Sequence, residues 1–186
     1  MDRGISDTNV LFKFCKDFCS IIEKHAEYII VSGFLVIASG RARSTEDIDM
    51  ILARLPKEKF VELHGALKKA GFECMQTDNA QEIYDDYLTK KASVRYTRSD
   101  IPLPEMEVKF AKDLLDDLQL KQRIKIAETN IDVWFSSVSA NIAFKEEYLK
   151  SQKDLEDAMH LRLLFESKIN EREINEIKKL IRKYKL

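Results

Sequence analysis

The sequence lacks any large surplus of charge and any apolar stretch of membrane length. Its 31 basic and 32 acidic residues give a formal net charge of −1 over 186 residues. A chain this close to neutrality has no overall attraction for nucleic acid or for an anionic membrane, so any basic footprint must be local. The longest apolar run, residues 28–40, is about 13 residues long and is interrupted by Ser32 and Gly33. It is too short to cross a bilayer.

Cysteine is scarce as well, and the first ten residues, MDRGISDTNV, lack the basic-then-apolar order of a secretory signal. Cys15 and Cys19 lie four positions apart on a predicted helix, a spacing that suits half of a zinc site. No second pair of Cys or His residues at ligand spacing completes such a site, and Cys74 stands alone. We therefore expect reduced, half-buried cysteines in a cytoplasmic protein.

The composition is that of a folded protein of mixed structure. Hydrophobic residues make up 45% of the chain and charged residues 34%, and the length is sufficient for one buried core. Strand-like and helix-like patterns alternate up to about residue 138, and everything after Ala140 has a helical pattern. We expect an α/β fold, with a mixed β-sheet flanked by helices over residues 1–138 and a C-terminal helical cap, residues 139–186, packed on it.

Hydrophobic periodicity and the positions of glycine and proline predict the individual elements. A short buried helix should follow Gly33 and end near Gly40, and a longer one should run from Pro56 to about Gly71. Further helices are expected over 7–26 and 113–121, and strands over 28–32, 47–55, 72–76, 92–97, 105–110, 123–127 and 131–136.

Two acidic residues interrupt an otherwise apolar stretch. Asp47 and Asp49 open the predicted strand 47–55, where side chains at i and i+2 point to the same side, about 6 to 7 Å apart at their roots. Two anions so placed repel each other unless a cation lies between them. Carboxylates on a rigid strand suit Mg²⁺ or Mn²⁺, which bind through one or two carboxylates together with substrate phosphates. A solvated strand edge is the alternative interpretation of such a pair.

The neighbours of this pair favour a site for a phosphate-bearing ligand. Gly33 lies at a strand-to-helix junction, where free backbone N–H groups can hold phosphate. Arg41 and Arg43 stand just ahead of the acids and can pair with phosphate oxygens. Glu107 falls on the polar face of the predicted strand 105–110, so a third carboxylate is available for a two-metal site.

The order of these residues resembles the polymerase-β-type nucleotidyltransferase superfamily, in which a strand, a Gly-Gly or Gly-Ser turn and a short helix precede Asp-x-Asp. The stretch IIVSGFLVIASGRARSTEDIDMIL is most similar to small bacterial and archaeal members related to abortive-infection, or toxin–antitoxin, nucleotidyltransferases. These typically read Val-Gly-Gly-x-Ala, then Gly-Arg-x-Arg-x-Thr-x-Asp-x-Asp, and later a Lys-bearing helix before a Lys-Asp-x-x-Asp helix. The likeness covers roughly residues 25–165, and the matching positions are Gly40, Arg41, Arg43, Thr45, Asp47, Asp49, Lys145, Lys153, Asp154 and Asp157.

The sequence departs from this pattern at three places. Ser32 stands where the first glycine of the turn is usual, and Leu35 stands where an alanine is usual. The third carboxylate, usually Asp, would be Glu107, with Asp132 in another alternating stretch as the competitor. A glutamate keeps the ligand chemistry but moves it about 1.5 Å further out, one C–C bond length.

The resemblance implies a metal-dependent nucleotidyltransferase. Mg²⁺ or Mn²⁺ would be held by Asp47, Asp49 and Glu107, and the phosphates of a nucleoside triphosphate would lie over the turn at Ser32 and Gly33. A hydroxyl acceptor, from RNA, protein or a small molecule, would attack the α-phosphate and release pyrophosphate. A toxin-like role would add an antitoxin partner, and no membrane partner is expected. Further nucleotide contacts would come from Arg41, Arg43 and Lys145.

More ordinary roles stay open for several of these residues. Arg41 and Arg43 would also suit loop arginines paired with Glu46, and Lys145 would suit a solvated helix lysine. The departure at Ser32 and the glutamate at the third carboxylate position would equally fit a module of the same fold that binds nucleotide or protein without turnover.

Overall fold

The apolar and alternating stretches of the chain form one five-stranded sheet in the computed structural model, which describes residues 3–42, 45, 47–99 and 101–184. The strand order is β1-β2-β5-β4-β3, with β2 and β5 parallel and every other neighbouring pair antiparallel. The strands are β1 (Tyr28–Val31), β2 (Asp47–Leu52), β3 (Phe72–Cys74), β4 (Val94–Arg98) and β5 (Ile101–Phe110).

Helices flank this sheet, as the sequence predicts, so the expected mixed α/β class is confirmed. None of the helices in the described part of the chain has the length and apolar character needed to cross a bilayer. A π turn, Ile83–Tyr87, continues α4, and another, Lys145–Leu149, continues α6. The helices are α1 (Arg3–Ile22), α2 (Gly33–Ala38), α3 (Lys57–Lys69), α4 (Ala80–Glu82), α5 (Leu114–Lys121), α6 (Val138–Phe144), α7 (Gln152–Leu164) and α8 (Glu171–Tyr184).

The prediction of two strands over 123–127 and 131–136 is wrong. In the described residues these segments make only isolated bridges, in which Phe135 pairs with Ile30 on one side and with Ile124 on the other. The apolar side chains Ile126, Ile131, Val133 and Phe135 are buried all the same. The alternating spacing of these apolar residues reflects the burial of a loop against the edge of β1. Such burial does not require the hydrogen-bonded ladder of a strand.

The central strands place apolar and charged residues on opposite faces of the sheet. Ile48 and Met50 on β2, and Met106 and Val108 on β5, are fully buried in the main core. Because successive side chains of a strand alternate in direction, the acidic residues between them lie on the other face. The two central strands therefore carry the core on one side and the candidate site on the other.

The C-terminal helices are part of the same apolar cluster as the sheet. Helix α6 packs on α7 and α8, α2 packs on α7, and α5 packs on α8. Buried residues of the last helices, such as Leu161 and Ile177, belong to the cluster that also contains Phe34 and Met50. The division of the chain at residue 138 stays a prediction.

The three cysteines are free thiols and are buried rather than half-buried. The Sγ atoms of Cys15 and Cys19 lie 3.9 Å apart within α1. Among the described residues, the one group of potential metal ligands consists of carboxylates and contains none of these cysteines.

His64 forms a buried polar contact between α3 and the sheet that predicts a pH dependence of stability. Its Nδ1 lies 2.9 Å from the Tyr96 hydroxyl, its Nε2 lies 3.3 Å from the carbonyl oxygen of Asp78, and burial lowers the pKa of His64. A lowered pKa means that the unfolded chain binds the proton more readily. This contribution to stability is therefore complete above the unfolded pKa, about 6.5, and is lost as the pH falls through the folded pKa.

We expect the free energy of unfolding to decrease as the pH falls from about 6.5, the unfolded pKa of histidine, to about 5. The decrease should be steeper in the wild type than in His64→Gln. Glutamine keeps a polar side chain at this position but does not titrate. Urea denaturation at a series of pH values measures both slopes. Equal slopes in the two proteins would contradict the assignment.

Candidate active site

The parallel pairing of β2 and β5 brings three carboxylates together. In register, Asp47 lies opposite Glu105 and Asp49 lies opposite Glu107. One oxygen from each of Asp47, Asp49 and Glu107 lies within 4.8 Å of the others. All three side chains are partly buried, so each can reach a ligand while its backbone is fixed in the sheet. The hydroxyl of Thr45 donates a hydrogen bond of 2.8 Å to Asp47 Oδ1 and orients that carboxylate.

The carboxylates repel one another at this spacing. Burial raises the pKa of Asp49, and the charges of Asp47 and Glu107 raise it further, whereas a hydrogen bond from Ser32 and the charge of Lys109 lower it. A divalent cation would relieve this repulsion. The donor set fits Mg²⁺ or Mn²⁺, because these ions prefer hard oxygen ligands.

Ser32 connects β1 to α2 through a backbone conformation that favours glycine. Its dihedral angles are φ 65° and ψ −129°, those of the first central position of a type II′ turn. A non-glycine residue is strained in this region. This conformation explains why the family that the sequence resembles usually has glycine at this position. Ser32 adopts the same turn at a cost in conformational free energy. Gly33, the next residue, is buried and begins α2.

Because of this strain, Ser32→Gly should be more stable than Ser32→Ala by roughly 1 to 3 kcal/mol. Both variants lose the hydrogen bond from the serine hydroxyl to Asp49, so the difference between them reports the backbone strain, less the greater entropy that glycine loses on folding. Urea denaturation of the two variants measures it. Ser20→Gly and Ser20→Ala in the exposed part of α1 are the control pair, and there glycine should be the less stable variant. Equal stability of the two Ser32 variants would contradict a strained turn.

A cleft of about 370 Å³ is lined by Asp49, one of the three carboxylates. Its sheet side carries Ser32, Asp49, Lys109 and Lys112. Its other side comes from the C-terminal helices and is richer in aromatic and apolar groups: Phe144, Tyr148, Leu149 and Tyr184. The charged sheet side of the cleft suits the phosphates of a nucleotide, and its aromatic helical side suits the base.

Two of the predicted nucleotide contacts belong to one ion-pair network beside this cleft. Arg41 donates to Glu156 at 2.7 Å and also to Asp157, both on α7. Lys145 Nζ lies 2.9 Å from Asp157 and 3.4 Å from Asp154. The interpretation of Lys145 as a solvated helix lysine is wrong, because its side chain is only 1% exposed. Arg43 and Glu46 lie outside the described residues.

Solved structures of similar fold are known. The solution structure of the antibiotic-resistance factor ANT(2″)-Ia matches with a TM-score of 0.58 and 14% identity, over 94% of this chain and 92% of that one. The crystal structure of ANT(2″)-Ia in complex with adenylyl-2″-tobramycin matches with a TM-score of 0.54 and 16% identity, over 97% and 99%. An antigenic nucleotidyltransferase-like protein from Paracoccidioides brasiliensis matches with a TM-score of 0.55 and 16% identity, over 96% and 89%.

The chain has the polymerase-β-type nucleotidyltransferase fold. No protein-family model matches the sequence, and no curated protein matches it. The likeness therefore establishes the nucleotidyltransferase fold and does not by itself establish the reaction. The resemblance to toxin–antitoxin members stays a prediction.

Within this nucleotidyltransferase fold, the structure separates the two candidates for the third carboxylate. Glu107 lies beside the aspartate pair, in register with Asp49. Asp132 is 77% exposed and pairs with Lys125 at 2.8 Å, and it is not among the clustered carboxylates. The geometry favours Glu107 over Asp132, although its role as a ligand stays a prediction.

Arg95 on β4 is a contact of the site that the sequence analysis missed. Its guanidinium lies 3.3 Å from the carboxylate of Glu105 and 3.3 Å from that of Glu107. The alternating pattern of the predicted strand 92–97 places Arg95 on the same side as Thr97. Identifying Glu107 as its partner needed the register between β4 and β5, which the sequence does not specify.

Proposed function

We propose that the protein is a metal-dependent nucleotidyltransferase that moves a nucleoside monophosphate from a nucleoside triphosphate to a hydroxyl acceptor. The observation that carries the proposal is the cluster of Asp47, Asp49 and Glu107, with oxygens within 4.8 Å of one another, of which Asp49 lines a cleft of about 370 Å³. Its occurrence on a nucleotidyltransferase fold separates it from an ordinary acidic surface. One of the neighbours was solved with an adenylyl group joined to tobramycin, which supports transfer to a hydroxyl as the reaction class.

In this reaction the acceptor oxygen forms a bond to the α-phosphorus. The bond between that phosphorus and the oxygen bridging to the β-phosphate breaks, and pyrophosphate leaves with the electron pair. We assign Asp47, Asp49 and Glu107 as the residues that would hold Mg²⁺ or Mn²⁺, whose charge would polarise the phosphate oxygens. Glu107, at the edge of the group nearer β4, is the candidate to accept the proton of the hydroxyl.

The cleft supplies groups for the rest of the nucleotide. Lys109 and Lys112 on the sheet side can offset the charge of the phosphates. The rings of Tyr148 and Tyr184 on the helical side offer faces on which a base can stack. Arg41 and Lys145 are held by carboxylates of α7, so in this state neither directs an unpaired charge at phosphate, and Lys145 lines the cleft.

A catalytically weakened module of the same fold, binding nucleotide or protein, is the second candidate. It is favoured by Arg41 and Glu107, two proposed site residues that are already engaged, the first by Glu156 and the second by Arg95. Such a module would bind a nucleoside triphosphate in the cleft without transferring any part of it. The enzyme and a nucleotide-binding module therefore differ in turnover and not in nucleotide binding.

Transfer of label from nucleoside triphosphates tests the proposal. The protein is incubated with Mg²⁺ and a cell extract, in parallel with each nucleotide labelled at the α- or at the γ-phosphate. We expect label to appear on an acceptor from the α-position only, and to disappear in Asp47→Asn. Mg²⁺-dependent nucleotide binding without any transfer would support the weakened module, and the absence of nucleotide binding would contradict the enzyme and leave only a protein-binding module.

The acceptor and the cellular role are further proposals. RNA, protein and small molecules all carry suitable hydroxyl groups, and a net charge of −1 does not favour RNA. A toxin-like role in the cytoplasm, neutralised by an antitoxin partner, follows from the resemblance. Expression in a bacterial host should then arrest growth, and Asp47→Asn should restore it. Normal growth with active wild-type protein would contradict the toxin role alone.

A further inference from the structure

Arg95 forms an ion pair with the third carboxylate, Glu107. It lies on β4 directly opposite Glu107 on β5. Its Nη2 donates to Glu107 Oε2 at 3.3 Å and its Nε donates to the same oxygen at 3.4 Å. The Nε also lies 3.3 Å from Glu105 Oε2. One guanidinium therefore bridges two acidic side chains of β5.

The backbone of Arg95 is fixed where it makes these contacts. Its N–H donates to the side-chain oxygen of Gln76 at 2.8 Å, and its carbonyl accepts from the N–H of Met75 at 2.8 Å. These bonds extend the pairing of β3 and β4 past the end of β3. The arginine thus starts from a rigid strand, although its side chain is 48% exposed.

We propose that Arg95 is a positioning residue that holds Glu107 in the orientation needed to bind the divalent cation. The inference rests on the proposed function, because it assigns a role around the same metal site. Arg95 engages Oε2 of Glu107 from the β4 side, and one oxygen of Glu107 lies within 4.8 Å of oxygens of Asp47 and Asp49, which are on the β2 side.

A glutamate at this position needs such support more than an aspartate would. Its side chain has one more rotatable bond, so fixing it costs more conformational entropy. Asp49, directly opposite on β2, repels it. A guanidinium with two donors on one oxygen holds that oxygen of the carboxylate in place. Arg95 therefore accounts for how Glu107 can serve where the resembling family uses the shorter Asp.

The competing explanation is an ordinary surface ion pair. Such pairs contribute little to stability and have no effect on a neighbouring site beyond their charge. On that explanation, removing the positive charge of Arg95 would make the acidic cluster more attractive to Mn²⁺. On ours, removing Arg95 releases Glu107 and weakens Mn²⁺ binding. The two explanations predict changes of opposite sign.

The affinity for Mn²⁺ decides between them. It is measured by electron paramagnetic resonance on the purified protein, with a nucleoside triphosphate analogue that cannot be cleaved between the α- and β-phosphates. We expect Arg95→Met to weaken Mn²⁺ binding about tenfold, the size of effect seen when groups that orient a metal ligand are removed. Arg95→Lys should also weaken it, because a single ammonium group cannot reproduce the fork.

A double-mutant cycle ties this effect to Glu107. In a Glu107→Gln background, Arg95→Met should cause no further loss, because the group that Arg95 positions is already gone. Arg182→Met is the matched control, since Arg182, on α8, is 55% exposed and pairs with Glu147 at 2.7 Å. It should leave Mn²⁺ affinity unchanged. Thermal unfolding of each variant confirms that it is folded.

Three outcomes would overturn the inference while leaving the proposed function intact. They are unchanged or tighter Mn²⁺ binding in Arg95→Met, wild-type affinity in Arg95→Lys, and an equal loss with and without Glu107. A wild-type protein that binds no Mn²⁺ with the analogue would instead contradict the proposed function, and this inference with it. The failure of one is thereby distinguished from the failure of the other.

Discussion

Replacing Asp49 by asparagine is expected to abolish nucleotidyl transfer and to raise the stability of the metal-free protein. The variant loses one ligand of the proposed metal site, at a cost of several kcal/mol in transition-state stabilisation, which corresponds to about a thousandfold in rate. The same carboxylate is unfavourable without a cation, since burial and the charges of Asp47 and Glu107 raise the pKa of Asp49. Like charges on facing strand positions cost up to about 1 kcal/mol, and a gain of that size raises the melting temperature by about 2 to 4 °C.

Transfer assays and thermal unfolding without added metal measure the two effects. Asp132→Asn is the matched control, because Asp132 is 77% exposed and pairs with Lys125 away from the cluster. It should leave transfer nearly unchanged. Full activity in Asp49→Asn, or loss of activity in Asp132→Asn instead, would contradict the assignment of the site. An enzyme that loses activity and gains stability through one substitution would show that the acidic cluster is maintained for function.

Replacing Lys145 by methionine is expected to have the largest effect on stability. Lys145 is 1% exposed and pairs at 2.9 Å with Asp157, which is fully buried. Removing one member of a buried ion pair leaves the other charge without compensation, and such changes cost roughly 3 to 5 kcal/mol. Arg41 also donates to Asp157, so the loss should lie near the lower end of that range. Methionine fills a similar volume, so the loss of charge rather than a cavity should dominate.

Urea denaturation of the wild type and Lys145→Met measures this loss. Lys150→Met is the control, because Lys150 is 53% exposed and pairs with Glu147 at 3.1 Å. Exposed pairs of this kind contribute at most about 1 kcal/mol. A cost for Lys145→Met no greater than that of the control would mean that the network of Arg41, Lys145 and Asp157 does not hold α7 against the rest of the fold.

The acidic pair shows how much of the site could be predicted from sequence. Alternation along the strand places Asp47 and Asp49 on one face, and this needs only the geometry of a strand. Glu107 was predicted on the polar face of a second strand for the same reason. What local pattern could not specify was that these two strands are parallel neighbours with Asp49 in register with Glu107. That arrangement depends on the topology of the whole sheet.

The contacts of Lys145 and Arg41 that sequence analysis missed join separate elements of the fold. Lys145 has the local pattern of a solvated helix residue, and its burial follows only once α7 places Asp154 and Asp157 against it. Arg41 precedes the acidic pair in sequence, yet its partners are more than a hundred residues away on α7. Short-range periodicity carries no information about such pairs.

The turn at Ser32 changes how the departure from the usual glycine is interpreted. The sequence alone suggests a weakened phosphate-binding turn. The structure places Ser32 in a backbone conformation that favours glycine, which explains why glycine is usual at this position. The Ser32 hydroxyl donates a hydrogen bond to Asp49. The serine therefore keeps the turn and adds a contact to a proposed metal ligand.

The central claim is that Asp47, Asp49 and Glu107 form a metal site for nucleotidyl transfer. Its most direct test is anomalous diffraction from crystals containing Mn²⁺ and a nucleoside triphosphate analogue. The claim predicts an anomalous peak from an Mn²⁺ ion that is coordinated by oxygens of all three side chains, and the triphosphate in the cleft lined by Lys109 and Lys112. A nucleotide bound elsewhere, or no Mn²⁺ between these carboxylates, would contradict it.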